Sequence, residues 1–263
     1  MPVHPGYAVK ISIVTVVYNN PMVGNALHSI LGQRLDPGDE LELVVIDGGS
    51  TDGTLAVIEA FRGRLGVFVS ERDKGIYDAM NKGLQHATGD IIGTLNADDL
   101  YQDDRVLATV LKTFRGGQAK VVYGDLVYVK KDDTSSVVRY WKSGPYADGA
   151  FERGWVPPHP TFFVTREIYQ QHGVFDTGYQ LAADFDLMLR FLAKAHVPFA
   201  YIPMILVRMR LGGATNKSLK NIIQGNLECQ RACRKNGLRI SSWFFVRKAI
   251  SRLAQFFKAA PDV

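Results

Sequence analysis

Four short apolar runs rich in β-branched residues, each followed by a stretch with helical spacing, restrict the fold of this chain more than any other feature. The runs are "ISIVTVVYNN", "LELVVIDGGS", "LGVFVSE" and "DIIGTLN". Buried parallel strands read as near-continuous apolar runs, whereas amphipathic helices repeat their apolar residues every three to four positions. Between the runs lie "VGNALHSILGQ", with Asn20 as a cap and Pro21 suited to a first helical turn, then "TLAVIEAFRG", and "GIYDAMNKGLQHAT", closed by Gly89. This alternation predicts right-handed crossovers and an α/β fold with a mainly parallel sheet.

Such sheets bind ligands beyond the carboxyl ends of their strands. Those ends are Tyr18-Asn19, Asp47-Gly48-Gly49-Ser50, Glu71-Arg72-Asp73-Lys74 and Asn96-Ala97-Asp98-Asp99, a polar and acidic set brought to one edge. Ionised carboxylates resist burial unless they are paired or meet a cation. The close of the fourth run in "NADD", with Asp103 and Asp104 beyond, therefore has two readings. The strand surfaces there into a solvated turn, or something positive sits against it. Two carboxylates can ligate a hard divalent cation and leave positions open for diphosphate oxygens. The glycines after Asp47 let a nucleotide approach the backbone. No G-x-G-x-x-G follows the first run and no G-K-[ST] occurs anywhere, so the dinucleotide and P-loop patterns are absent.

After residue 104 the pattern changes. "DRVLATVLKTF" reads as a helix, and "AKVVYGDLVYVKKDDTSSVVRYWKS" as an antiparallel hairpin around an Asp-Asp-Thr turn. A Pro/Gly-rich loop from Ser143 to Pro160 precedes "TFFVTREIYQQHG", the amphipathic helix "AADFDLMLRFLAKA" and the extended "FAYIPMILVRMR". The remainder, from Ser218, reads as helical. The divisions are residues 1–104, 105–216 and 217–263.

The chain has 263 residues, 46% hydrophobic and 22% charged, which excludes disorder and a disulfide scaffold. Cys229 and Cys233, four apart in a helical segment, are badly placed for a disulfide and too few for a structural metal site, which points to a reducing compartment. The N-terminus carries no apolar h-region, and no run approaches the ~18 apolar residues of a spanning helix. A soluble cytoplasmic protein, at most peripheral on the inner membrane's cytoplasmic face, is expected. The net charge of +5 is uneven: residues 1–216 hold 21 basic against 24 acidic residues (−3), and residues 217–263 hold 10 against 2 (+8). In "SSWFFVRKAISRLAQFFKAA", Trp243, Val246, Ile250, Leu253 and Phe257 share one side of a helix, and basic residues fall on others. This basic amphipathic pattern suits anionic lipid, with packing on its own domain or a second subunit as the competing use. It does not suit nucleic acid, because no aromatic-interleaved basic sheet accompanies it.

The order of "ISIVTVVYN", "VIDGGSTDGT", "DKGIYDAMNKG", "GDIIGTLNADD" and "ADFDLMLR", from about Ile11 to Gly213, resembles the family 2 inverting glycosyltransferases of GT-A fold, in their bacterial surface-polysaccharide branch. The resemblance implies transfer of a sugar from a nucleoside-diphosphate sugar, a UDP-sugar foremost, to a hydroxyl of a glycan acceptor, lipid-linked in that branch. By position it places Tyr18 and Asp47 at the base and ribose, and Asp73 and Lys74 at the diphosphate and donor sugar. Asp98 and Asp99 fall at the metal motif, with Asp99 the more direct ligand of Mn²⁺ or Mg²⁺, and Asp184 at the general base. It also implies a metal or phosphate contact for His159, with a structural role as the alternative. "RLGGAT" could close over the diphosphate through its amides and Arg210, or be a plain turn. Gly48 stands where many relatives have a second Asp that reads the base. Ala183 stands where many have Glu, which leaves Asp186 as a rival base, or as an i,i+4 partner of Arg190. A sugar nucleotidylyltransferase would carry a Gly-rich loop after the first run, where Tyr18-Asn19-Asn20-Pro21 stands instead. A non-catalytic sugar-nucleotide or lipid-binding protein on the same scaffold is the other competing reading.

Overall fold

The computed structural model describes residues 8–212, 218–240 and 244 of the chain. The four runs form β1 (Lys10–Val17), β2 (Glu40–Asp47), β3 (Val67–Ser70) and β4 (Ile91–Thr94). They are joined through α1 (Val23–Leu31), α2 (Thr54–Glu59) and α3 (Ile76–His86). β1 pairs in parallel with β2 and β4, and β2 with β3. Entry to α1 differs slightly from the sequence reading: the helix begins at Val23, and the Asn20 side chain accepts from the Met22 amide in the turn ahead of it.

Next come β5 (Leu100–Tyr101), α4 (Val106–Arg115), β6 (Val121–Val129), β7 (Val137–Trp141), β8 (Phe163–Thr165), α5 (Arg166–His172), α6 (Ala183–Leu189), β9 (Phe199–Arg210) and α7 (Leu219–Lys235). β6 and β7 form the expected antiparallel hairpin. Among the described residues the nine strands make one sheet, ordered β3-β2-β1-β4-β8-β6-β9-β5, with β7 beside β6. β6 and β9 are parallel, and the register slips between Tyr123 and Asp125, opposite the stretch holding Pro203. Proline has no N–H for a ladder, so a bulge is where a strand tolerates it.

Both faces of the sheet are covered. Val14, Val16, Val44 and Ile46 face α3, α6 and α7, and Phe244 packs on that side. Ile11, Ile13, Val17, Leu43 and Val45 face α1, α2 and α4. Alternation along β1 and β2 thus splits one apolar run between two cores. α3 lies so close to β1 that a Cβ at Gly83 would fall 2.2 Å from Val14 Cγ1. Ser218 caps α7 by accepting from the Asn221 amide, and Cys229 and Cys233 are buried free thiols within that helix. No helix among the described residues is long and apolar enough to cross a membrane. The remaining residues of the amphipathic stretch at 241–263 lie outside the described part.

The amino end of the sheet is tied by a buried carboxylate. Glu42 accepts from Ser12 Oγ, from the Thr88 amide (2.7 Å) and hydroxyl (2.6 Å), and pairs with Lys10 at 2.8 Å. Burial opposes its ionisation, but Lys10, Ser12 and Thr88 outweigh that and hold its pKa down at about 2. Because the folded value lies below the ordinary one, this stabilisation is complete above about pH 4.5 and is lost as pH falls towards 2. Glu42→Gln should therefore lower stability at neutral pH and flatten the acid limb in that window. Denaturant midpoints across pH would read it, and a limb as steep as wild type would contradict the assignment.

Candidate functional site

The parallel register ends β1, β2 and β4 at one edge, and a cleft of about 430 Å³ opens there. Tyr18, Asn20, Asn96 and Asp98 line it from the strand ends, Ile76, Tyr77 and Met80 from α3, and His159 from the loop before β8. Gln180, Leu181, Ala182 and Asp184 line it at the head of α6, with Arg210 from the end of β9 and Ile222, Asn226 and Cys229 from α7.

The two carboxylates of "NADD" behave differently. Asp98 lines the cleft half-buried, and among the described residues no group donates to its carboxylate. Asp99 is fully buried behind it: Oδ2 accepts from Asn96 Nδ2 at 2.7 Å and Oδ1 from the Arg210 amide at 3.3 Å. Burial, then the charge of Asp98, push the Asp99 pKa up to about 8. Arg210 is buried as well. Its Nη1 donates to the Asp98 carbonyl at 2.6 Å and its Nε to that of Lys131 at 3.0 Å. Arg210 is thus a brace behind the acidic turn. The rest of "RLGGAT", from Gly213, lies outside the described residues.

A hard divalent cation fits this corner by its donor chemistry: oxygen ligands, one of them unpartnered, beside a carboxylate whose ionisation is opposed by burial and by Asp98. Among the described residues no three His, Cys, Asp or Glu side chains group closely enough to hold an ion alone. Diphosphate oxygens and water would therefore have to complete its shell.

Asp184 is half-buried on the cleft wall, and its Oδ1 accepts from Tyr77 Oη at 3.1 Å. Burial and Asp184 push the Tyr77 pKa far up, so the phenol stays a donor. His159 Nε2 lies 3.2 Å from Thr94 Oγ1, and its ring meets Phe175 edge-on. Burial pulls its pKa down, against the opposing charge of Asp184, so the ring is neutral at neutral pH. Asp186 points the other way. It is fully buried, with Arg190 Nε at 2.8 Å and Asn236 Nδ2 at 3.0 Å. The i,i+4 pairing is the one the sequence offered, and Asp184 alone of the two carboxylates lines the cleft.

Other candidates sit at the edge. Tyr18 is 64% exposed at the cleft mouth. Asp47 is buried and consumed by its own turn, accepting from the Gly49 and Ser50 amides (both 3.0 Å) and Ser70 Oγ (2.7 Å). Asp73 is held by Lys82 Nζ at 2.6 Å, and Lys74 is exposed away from the cleft lining. A Cβ at Gly48 would stand 2.9 Å from Asp73 Oδ2 and 3.4 Å from the Tyr18 ring, so the space of a side chain at 48 is already taken. Sequence reasoning missed Tyr77 and Asn96. Both stand inside quoted motifs at strand or helix ends facing the edge, which was the available signal.

Residues 12–181 match the model of Glycosyl transferase family 2. The chain belongs to that family. It is 29% identical over 182 residues to a PGL/p-HBAD biosynthesis glycosyltransferase of Mycobacterium bovis, covering 67% of this chain and 68% of that relative. An uncharacterised glycosyltransferase of Mycobacterium tuberculosis is 28% identical over 186 residues, covering 70% and 69%. Among solved structures, S. aureus TarS 1–349 in complex with UDP aligns with TM-score 0.63 at 17% identity, covering 94% of this chain and 70% of that one. The mannosyltransferase PcManGT from Pyrobaculum calidifontis, in complex with GDP-Man and Mn²⁺, aligns with TM-score 0.63 at 20% identity, covering 98% and 78%. The fold is GT-A, and the protein is a glycosyltransferase.

Removing Asp186 leaves Arg190 without its buried partner, although that guanidinium keeps the His172 and Val174 carbonyls. Asp186→Ala should cost about 3 kcal/mol in urea unfolding, near the low end for a broken buried pair, and leave nucleotide affinity unchanged. Loss of turnover with stability and nucleotide binding kept would return Asp186 to the site as the rival base.

Proposed function

We propose that this family 2 enzyme inverts the anomeric centre of a nucleoside-diphosphate sugar, a UDP-sugar foremost, in one displacement by an acceptor hydroxyl. The observation that carries the reading is the single cleft that exposes two carboxylates with different surroundings, Asp98 at the strand edge and Asp184 beside Tyr77 and His159. Residues 1–104 form the donor half and residues 105–216 the acceptor half. Tyr18, exposed at the mouth, offers a ring for the base, and the Asp47 turn shapes the backbone around the nucleotide. Asp98 would hold Mn²⁺ or Mg²⁺, with Asp99 behind it and His159 against Thr94 at the end of β4. When bound, the cation supplies charge stabilisation to the departing diphosphate.

The chain's own residues do the rest. Asp184 takes the proton from the acceptor hydroxyl as the new C–O bond forms, and the bond to the diphosphate breaks with its electron pair leaving on phosphate oxygen. Tyr77, donating to Oδ1, fixes the carboxylate's rotation and leaves Oδ2 for that proton. Neutral His159 lines the pocket without adding a competing cation. The acceptor is a lipid-linked glycan at the cytoplasmic membrane face. Support comes from the +8 charge of residues 217–263, from Ile223 and Leu227 exposed on α7, and from a relative named for PGL biosynthesis.

Calorimetry of UDP, GDP, dTDP and CMP with and without Mn²⁺, followed by turnover of the matching sugar donor, tests the reading. One nucleotide should bind in a metal-dependent way that Asp98→Asn abolishes. Asp184→Asn should keep that binding and lose about 10²- to 10⁴-fold in kcat. Binding without turnover by wild type, for every donor and acceptor offered, would favour a non-catalytic sugar-nucleotide binder.

A further inference from the structure

The segment that delivers Asp184 has no cap of its own. Ala182 precedes α6 and has no side-chain acceptor, and the backbone amides of Gln180, Leu181 and Ala182 converge in front of the helix. One oxygen takes all three. Glu228 Oε2, on α7, accepts from Gln180 N at 3.1 Å, Leu181 N at 2.7 Å and Ala182 N at 3.0 Å. Successive amides pointing at one spot form an anion-binding concavity, and a carboxylate is its strong acceptor. The other oxygen, Oε1, accepts from Gln224 Nε2 at 3.0 Å, and the same amide nitrogen donates to Gln180 Oε1 at 2.8 Å. Glu228 is itself buried, so it is fixed by packing as well as by these bonds.

The rest of α7 and the residues after it grip the same segment along its length. Lys235 Nζ pairs with Asp176 at 2.6 Å, and Arg231 Nη2 donates to the Gly178 carbonyl at 3.2 Å with its guanidinium over the Tyr179 ring. Asn236 Nδ2 reaches Asp186 at 3.0 Å. Gln180, Leu181, Ala182 and Asp184 all line the cleft. The family match ends at residue 181, so Glu228 and the carboxylate of Asp184 lie beyond it.

We infer that Glu228 is a positioning residue for Asp184, setting the place of that carboxylate in the cleft through the amides of Gln180, Leu181 and Ala182. The inference rests on Asp184 being the base. A side chain held by a loop drifts, and small displacements of a reacting group are costly in rate while leaving ligand affinity elsewhere intact. The donor side of the cleft is built from β1, β2 and β4, whereas the bonds that Glu228, Arg231, Lys235 and Asn236 make to this segment fall between residues 176 and 186.

The test uses the full chain with Glu228→Ala and Glu228→Gln. Gln keeps a carbonyl oxygen for the amides, loses the charge, and turns the oxygen that accepts from Gln224 into an amide donor. Hydrogen exchange of the peptide spanning residues 176–189 should rise in Glu228→Ala, and less so in Glu228→Gln. In Glu228→Ala, kcat should fall about tenfold or more, with donor Kd and binding stoichiometry as in wild type, and Glu228→Gln should recover most of the loss. A purely structural role would instead lower the stoichiometry of donor binding with kcat per bound site unchanged, and would overturn the inference. So would wild-type exchange in Glu228→Ala, or faster exchange with undiminished kcat. A wild type without turnover overturns the functional reading itself, and the exchange measurement still decides whether the clamp exists.

Discussion

The end of β4 and the end of β9 meet across one buried carboxylate. Asp99 accepts from Asn96 on its own turn and from the Arg210 amide 111 residues later, while the Arg210 guanidinium returns a bond to the Asp98 carbonyl. Without that exchange, the acidic turn would have no reason to fold inward, because an unpartnered buried carboxylate costs several kcal/mol. With it, the ends of β4 and β9 share an atom-level joint at the edge of the cleft. The joint also fixes which way the remaining carboxylate faces: with Asp99 drawn behind the strand edge, Asp98 is left on the cleft.

The same division recurs through the molecule. Asp47 is spent on its turn and Asp186 on Arg190 and Asn236. Asp125 is buried between the hydroxyls of Tyr140 and Tyr201 and the Ser143 amide. Each of these shapes backbone near the site: the turn after β2, the rear of α6, and the start of the Ser143–Pro160 loop that delivers His159. Two carboxylates of the conspicuous motifs, Asp98 and Asp184, line the cleft instead. An acidic sequence around a binding edge is therefore mostly scaffold, and its chemistry is confined to the few oxygens that protein donors leave unfilled.

Periodicity carried most of the fold. The apolar runs became β1 to β4, the Asp-Asp-Thr turn joined β6 to β7, and the extended run holding Pro203 became β9 with a bulge in its register with β6. The ambiguities that remained were side-chain ambiguities. Asp184 and Asp186 are two residues apart at the head of one helix, and sequence alone cannot show which faces the sheet edge. That depends on Asn236, just past the end of α7, reaching one of them. In the same way the resemblance puts Asp99 ahead of Asp98 at the metal motif, whereas Asn96 and Arg210 hold Asp99 behind the strand edge and leave Asp98 on the cleft. Tyr77 was overlooked because its partner, Asp184, is 107 positions away.

Gly48 shows how a departure from a family pattern can have a physical cause. A side chain there would stand against Asp73 and Tyr18, and Asp73 is itself anchored by Lys82, which also pairs with Glu71. The residues that follow β3 and the turn after β2 therefore compete for one volume, and in this chain Asp73 fills it. A substitution at 48 has to displace a carboxylate already held by an ion pair before it can reach a nucleotide. An Asp at 48 would set a second carboxylate against Asp73, and two carboxylates in that space would repel each other where neither could be fully hydrated.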